Sequence, residues 1–422
     1  MELDVWLDGR HVATLFEQRR QMTMRYTDAA GPRGAPLVSM AMPVAATRFT
    51  DRVTRAFFHG LLPEGEARRM LAHDFGLDVS NDMGLLAALG KDCAGALVVQ
   101  PVGGIPPSFA TLPGGDVVDG PEIARRLAQL PVHPLGVDGR IRVSLAGVQS
   151  KLLLARRPDG RWSLPSEGVI STHILKPAHR DLPDSVANEA FCMNLAGRAG
   201  LAAARTTIES FGGIEVVVSE RYDRRVEADG MTVRLHQEDA CQALSVLTVV
   251  PEHKYESFGG PSLAGVAGLL EQWGGRAAKE GLLEQVAFHV VVGNADAHGK
   301  NVSFLHREDG TVELAPLYDV MSTVYYSAVA GRRMDPTPGL LVNGNRHIEK
   351  VTVGDLVHEA ERWGLRNRTA HSVVCDLLER MPGALEQAAG DISAAPGPLV
   401  DLIHNQVRDA KSQTVRPEHR ST

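Results

Sequence analysis

Gly293-Asn294-Ala295-Asp296-Ala297-His298-Gly299-Lys300-Asn301, followed downstream by Tyr318-Asp319, is the stretch on which the reading turns. It sets a carboxylate, an amide in an Asp-x₄-Asn spacing and a second carboxylate beyond a short hairpin. Phosphoryl transfer needs that polar set: one Asp to orient or deprotonate a hydroxyl, and an Asn and an Asp to hold Mg²⁺ on nucleotide phosphates. The spacing equals that of the protein-kinase catalytic loop, but the preceding His-Arg and the Asp-Phe-Gly are missing. His298 stands where a cationic or hydrogen-bonding group could touch the transferring phosphate, and Lys300 lies on the same loop. The bland alternative is a set of turn-capping loop residues with Asp319 at the surface; Asp-x₄-Asn alone is a weak pattern.

Reading outward supplies the other parts in a kinase order. Ser144-Leu145-Ala146-Gly147-Val148-Gln149-Ser150-Lys151 is a small-residue turn between strands, able to offer backbone N–H groups to phosphate oxygens and, taken alone, also an ordinary tight turn. Thr172-His-Ile-Leu-Lys176 is a strand ending in a lysine, and Glu189 on the next helix is its candidate partner. Glu220-Arg221-Tyr222-Asp223 follows an apolar strand and could face adenine, or be no more than a polar strand end. Gln237-Glu238-Asp239 is a candidate helix cap. Phe57 to Gly65 reads first as packing within its own domain.

The 422 residues suggest two or three structural units. Hydrophobic residues make up 44% and charged residues 23%, ordinary for a globular chain with a sizeable core. A net charge of −7 argues against a chain that coats DNA by itself, though not against a partner that brings the DNA-binding surface. No basic region followed by an apolar run opens the chain, and no segment has the length of a membrane span, so no membrane association is expected. Four scattered cysteines fit a reduced, cytoplasmic setting.

The expected organisation is α+β. An N-terminal α+β subdomain covers 1–110, opening with two strands around an Asp8-Gly9 turn. A Gly- and Pro-rich connector covers 111–140. A nucleotide-covering region runs from 141 to 235 and holds the Pro158-Asp159-Gly160 hairpin turn and a helix capped by Asp184. A helical lobe covers 236–410, where an apolar helix from Gly281 to Val292 leads into the Asp296 loop. The tail from about 408 is expected to fray.

Taken together, Phe57-Phe-His-Gly-Leu-Leu-Pro-Glu64, the 144–151 turn, Thr172 to Lys176, Asn188-Glu189, Glu220 to Asp223, Leu235 to Gln242, Asn294 to Asn301 and Tyr318-Asp319-Val-Met-Ser322 resemble the HipA family of bacterial toxin kinases. His59-Gly60, Ala297 and Gly299 depart from the family's commoner residues without removing a polar group. The resemblance implies a two-lobed protein-kinase-like fold and an ATP- and Mg²⁺-dependent serine/threonine kinase of a toxin–antitoxin pair. It implies a helix-turn-helix antitoxin partner that represses the operon, contact with DNA only through that partner, and an aminoacyl-tRNA synthetase as substrate. Carried onto this chain, Asp296 is the base, assisted by His298. Asn301 and Asp319 hold Mg²⁺. Ala146, Gly147, Val148, Gln149, Ser150, Lys151, Lys176, Lys300, Glu220, Tyr222 and Asp223 contact nucleotide, and Ser144 matches an autophosphorylated serine. A small-molecule or lipid kinase, or a non-catalytic corepressor, are the competing readings.

Overall fold

Asp8 and Gly9 both take left-handed backbone angles (φ 51° and 73°), the geometry of a two-residue turn whose twist matches its strands. The strands they join, Glu2–Leu7 and Arg10–Gln18, pair antiparallel. A third strand, Gln21–Tyr26, extends the sheet through a second tight turn formed by Arg19 and Arg20, again with positive φ (51° and 64°). That strand is not evident from the sequence, because two arginines replace the Asn or Gly such turns favour. Arg55 braces the turn, donating from Nη2 to the Arg20 carbonyl at 2.8 Å.

The computed structural model describes residues 1–45, 47–108, 110–111, 114–130, 133–135, 145, 149–165, 169–228 and 230–414. They form two compact units of mixed α and β structure. The first comprises Met1–Pro177, Thr207–Lys254 and Ser303–Val312; the second comprises Ala178–Thr206, Tyr255–Val302 and Glu313–Thr422. The helix carrying Glu189, expected with the nucleotide-covering strands, groups instead with the second unit.

In the first unit, strand Val98–Pro101 closes the N-terminal sheet against Glu2–Leu7. Helix Asp51–Gly60 carries Phe57 and Phe58, both fully buried in a core with Leu3, Val5, Leu15 and Met24. The bland packing reading of this stretch therefore describes their placement. A second, antiparallel sheet places His173–Pro177 between Ile214–Glu220 and Leu152–Arg156. The Pro158-Asp159-Gly160 turn forms, with Gly160 at φ 81° and its N–H on the Arg157 carbonyl at 2.9 Å. Asp239 caps helix Ala240–Ala243 in a reciprocal box with Gln242.

Asp92, Arg221, Asp223 and Arg224 form a buried charge cluster in this unit. Asp223 is ion-paired with Arg221 (2.8 Å) and Arg224 (3.0 Å), and Arg224 with Asp92 (2.9 Å). Gly95 N–H donates to Asp223 at 2.7 Å, and Ser171 donates to Asp92 through both its N–H and its hydroxyl. Burial works against a charged Asp223, yet the two guanidiniums hold its carboxyl well below the usual range.

The second unit is helical around Asn367–Asp391, which buries Ala370, Val374, Leu377, Leu378, Met381, Ala384, Leu385 and Ala388 along one face. Helices Ser185–Arg198, Arg276–Val292, Val353–Arg362 and Gly397–Thr414 pack on it. Two expectations are corrected here. The last helix continues through Thr414, anchored by buried Ile403 and Val407, so the chain past 408 is not frayed over these residues. Asp184 stands just before helix Ser185–Arg198, at the capping position and in a left-handed conformation, but its carboxylate makes no bond to the helix and accepts from the Tyr325 hydroxyl (3.2 Å). Among the described residues no helix is long and apolar enough to cross a membrane. All four cysteines are free thiols, three of them buried.

Three histidines are buried in neutral form. Burial is the main cause, pulling His173 to about 4, His236 to about 3 and His289 to about 4, with Arg156 and His306 adding to the first two. Unfolded, each titrates near 6.5, so in acid the unfolded chain takes up protons that the folded chain refuses. Their stabilising contribution is whole above that value and is lost as pH falls toward the folded values. Near pH 5 each should cost about 2 kcal/mol. Urea unfolding at neutral pH and near pH 5 should show a clearly lower midpoint in acid; coincident midpoints would refute this account.

Candidate active site

Within the second unit, helix Arg276–Val292 ends at Gly293, whose left-handed backbone (φ 69°) lets its N–H and that of Asn294 bond the last turn. A Cβ on Gly293 would sit 2.9 Å from the Val324 side chain, so only glycine lets residue 324 approach. Thr323 then locks the loop. Its hydroxyl accepts from Ala295 N–H (2.8 Å) and donates to the Gly293 carbonyl (3.1 Å). The Asn294 side chain accepts from Asp296 N–H (3.1 Å) and donates to Nδ1 of the neutral His289 (3.1 Å).

The outcome of this bonding is an exposed Asp296 in a loop whose other members, from Val291 to Lys300, are all buried. Its carboxylate accepts a hydrogen bond from the Tyr255 hydroxyl at 2.6 Å. The Tyr255 ring meets His298 edge-on, 5.1 Å between centroids. Asn301 donates from its amide nitrogen to the Asp296 carbonyl (3.1 Å), which orients the amide and makes Oδ1 its acceptor atom. The Tyr318 hydroxyl donates to the Lys300 carbonyl at 2.5 Å, drawing the neighbours of Asp319 and Asn301 together. Asp319 is half-buried in a left-handed conformation (φ 58°). Just beyond it, the fully buried Asn188 clamps Ser322, accepting its N–H (2.9 Å) and donating to its carbonyl (3.0 Å).

The structure thus gathers Asp296, His298, Lys300, Asn301 and Asp319 in one unit. Among the described residues no cluster of three or more His, Cys, Asp or Glu could hold a metal alone. An Asn oxygen and an Asp carboxylate are a hard, incomplete donor pair of the kind Mg²⁺ uses when phosphates and water complete its octahedron. The donor chemistry fits that ion.

The first unit holds the remaining predicted residues. Lys176 is buried on the central strand of its sheet. The Gln149 amide reaches the Pro177 carbonyl (3.4 Å), placing Gln149, Ser150 and the buried Lys151 beside that strand end. Ser144, Ala146, Gly147 and Val148 lie outside the described residues. Glu220 is exposed at the end of its strand, and the Tyr222 hydroxyl donates to Oε1 of Gln237. Asp223 differs from its expected role. Its carboxylate is inside the unit and is taken up by Arg221, Arg224 and Gly95, so it holds the frame rather than a nucleotide.

Sequence reasoning missed Tyr255, Thr323 and Gly339. Gly339 N–H donates to the Ala295 carbonyl (2.8 Å), and a Cβ there would stand 2.7 Å from backbone atoms of Ala297 and His298. Pro338-Gly339 reads only as a turn, and Tyr255 is too remote in sequence from Asp296 to suggest a partnership.

Comparison with known proteins agrees with this geometry. Residues 3–100 match the HipA N-terminal domain and residues 143–385 the HipA-like C-terminal domain. The chain is 42% identical over 332 residues to Y4mE of Sinorhizobium fredii, covering 77% of this chain and 78% of that protein. It is 32% identical over 318 residues to the serine/threonine-protein kinase toxin HipA of Shewanella oneidensis, covering 72% and 70%. The Shewanella oneidensis toxin–antitoxin structure of HipA, HipB and operator DNA contains a chain that superposes with a TM-score of 0.79 at 25% identity, over 98% of this chain and 96% of that one. With both domains matched in order and the fold shared along nearly its whole length, the chain belongs to the HipA family of kinase toxins.

Proposed function

We propose that this protein is an ATP- and Mg²⁺-dependent serine/threonine protein kinase, the toxin of a pair whose helix-turn-helix antitoxin binds it and carries the complex to operator DNA. The observation that carries the reading is the exposed Asp296 carboxylate on a loop held rigid by backbone bonds, with Asn301 tied to the carbonyl of that same residue. A base must present its oxygen to an incoming hydroxyl without reorganising, and this loop is built to do so. The substrate oxygen forms a bond to the γ-phosphorus as the bond to the ADP leaving oxygen breaks, and Asp296 takes the hydroxyl proton. Tyr255 fixes which carboxylate oxygen faces out. Asn301 and Asp319 would hold Mg²⁺, which neutralises charge on the phosphates. From the family resemblance, Lys176, Lys151, Gln149, Ser150 and Lys300 serve the phosphates, Glu220 and Tyr222 the adenine, and His298 the transferring group. The same resemblance names a translation component, an aminoacyl-tRNA synthetase, as substrate, and Ser144 as the autophosphorylation site, where a phosphate would add nearly two negative charges. The intact donor set favours this over a non-catalytic corepressor.

Purified protein incubated with labelled ATP and Mg²⁺ should transfer label to protein, and Asp296→Asn should lower the rate on the order of 10³-fold. Equal transfer by both proteins would exclude the kinase reading; label found only on a metabolite or an inositol lipid would replace the protein acceptor. Tyr255→Phe deletes one hydrogen bond to the base without opening the fold, so kcat should fall roughly tenfold with the KM for ATP unchanged. An unchanged kcat would remove Tyr255 from the mechanism. Intact-mass measurement after ATP treatment should show one added phosphate that is lost in Ser144→Ala; its persistence there would reject that serine.

A further inference from the structure

Residues 324 to 339 form a strip fastened to the catalytic loop at both ends. At one end Val324 N–H donates to the Gly293 carbonyl (3.1 Å); at the other, Gly339 donates to the Ala295 carbonyl (2.8 Å) and accepts from Glu256 N–H (2.9 Å). The contact at Gly339 is backbone on backbone, since any side chain there would collide with Ala297 and His298. Between these anchors the chain is irregular but constrained. Arg332 N–H bonds the Tyr326 carbonyl (2.8 Å), Met334 N–H bonds the Ser327 hydroxyl (3.1 Å), and Asp335 accepts from Thr337 N–H (2.9 Å). Pro336 and Pro338 fix their own φ angles, so little backbone freedom is left to lose on binding.

The side chains on this strip have a definite sign. Arg332 and Arg333 are exposed, and neither guanidinium has a hydrogen-bond or ion-pair partner among the described residues. Ile348 N–H bonds the Pro336 carbonyl (2.9 Å), which lays the exposed Arg346, His347 and Lys350 alongside. Asp335 is already occupied by its turn with Thr337. The positive strip stands out on a chain of net charge −7. Apolar contact is available at both of its margins. Val329 is 43% exposed, and Phe258 is 57% exposed just after Tyr255, the residue that touches Asp296.

We infer that residues 329–338 are the protein-substrate strip of this kinase, with Arg332 and Arg333 selecting a segment that carries Asp or Glu close to its target hydroxyl. This rests on the protein-kinase reading above and names its substrate class. Guanidinium forks suit carboxylates in two-point contact. Phe258 and Val329, both exposed, suit peptide side chains rather than a phosphate backbone.

The test uses the full-length protein and a fluorescently labelled serine peptide flanked by glutamates, beside an otherwise identical peptide flanked by glutamines. Anisotropy at low ionic strength should show the Glu peptide binding on the order of tenfold more tightly, and added salt should erode the difference. Arg332→Gln/Arg333→Gln should bring the two peptides within about twofold of each other, with thermal midpoint and ATP affinity unmoved. Absence of a preference in the wild type, or its survival in the double variant, overturns the inference. So does duplex DNA displacing the Glu peptide and binding more tightly than it. Phosphate transfer to the same peptides, by wild type and Asp296→Asn, is measured in parallel. A Glu preference with no transfer sustains the strip and fails the kinase reading; transfer without a preference fails the strip alone.

Discussion

The Thr323 hydroxyl, bonded at once to Ala295 N–H and the Gly293 carbonyl, is the contact on which the site depends. A loop that presents one charged residue to solvent must satisfy all its other polar groups internally, or water will compete for them and the loop will move. Here the groups satisfied are main-chain, and most of their partners are side chains. Thr323 secures the start of the loop, Asn294 the approach to Asp296, Asn301 its carbonyl, and Gly339 the carbonyl of Ala295. The Asn188 amide extends the same logic to the segment that follows Asp319. Rigidity is thus assembled from several bonds, each of modest net strength, and the Asp296 carboxylate inherits it.

The two units solve different problems of burial. The first hides charge, setting Asp92, Arg221, Asp223 and Arg224 against one another with Ser171 and Gly95 filling the remaining hydrogen-bond positions. The second hides apolar helix faces around Asn367–Asp391. Burying paired charges adds little net stability but penalises any arrangement that leaves one of them alone. The first unit thereby gains a unique packing of residues 92–95 against 221–224, and the strand holding Lys176 lies in the sheet that this packing closes.

How far the sequence disclosed this depends on the range of the interaction involved. The Asp8-Gly9 turn, the Pro158-Asp159-Gly160 turn and the Asp239 cap are local, and their residue types announce them. The Asp296-to-Asn301 spacing carries its own chemistry and needed no structure to be noticed. The strand after Arg19-Arg20 was hidden because its turn depends on Arg55, distant in sequence, to hold two arginines in a left-handed conformation. Asp223 was misplaced for a related reason: its neighbours in sequence look like a polar strand end, while its carboxylate also takes the Gly95 N–H and shares Arg224 with Asp92, both from a distant part of the chain. The Asp184 cap failed because Tyr325 competes for the same carboxylate. Tyr255 and Gly339 reach the loop only through tertiary contact, and no residue type at those positions could signal it.

The buried quartet of the first unit also has a consequence for descent. Replacing any one member strands an opposite charge in a place water cannot reach, and the penalty falls on the partners that remain rather than on the residue that changed. Neutral drift one position at a time is therefore closed to Asp92, Arg221, Asp223 and Arg224. They can be exchanged together for apolar residues, or kept together, but the intermediate steps are poor proteins. Stretches of chain separated by more than a hundred residues are in this way bound to a common history.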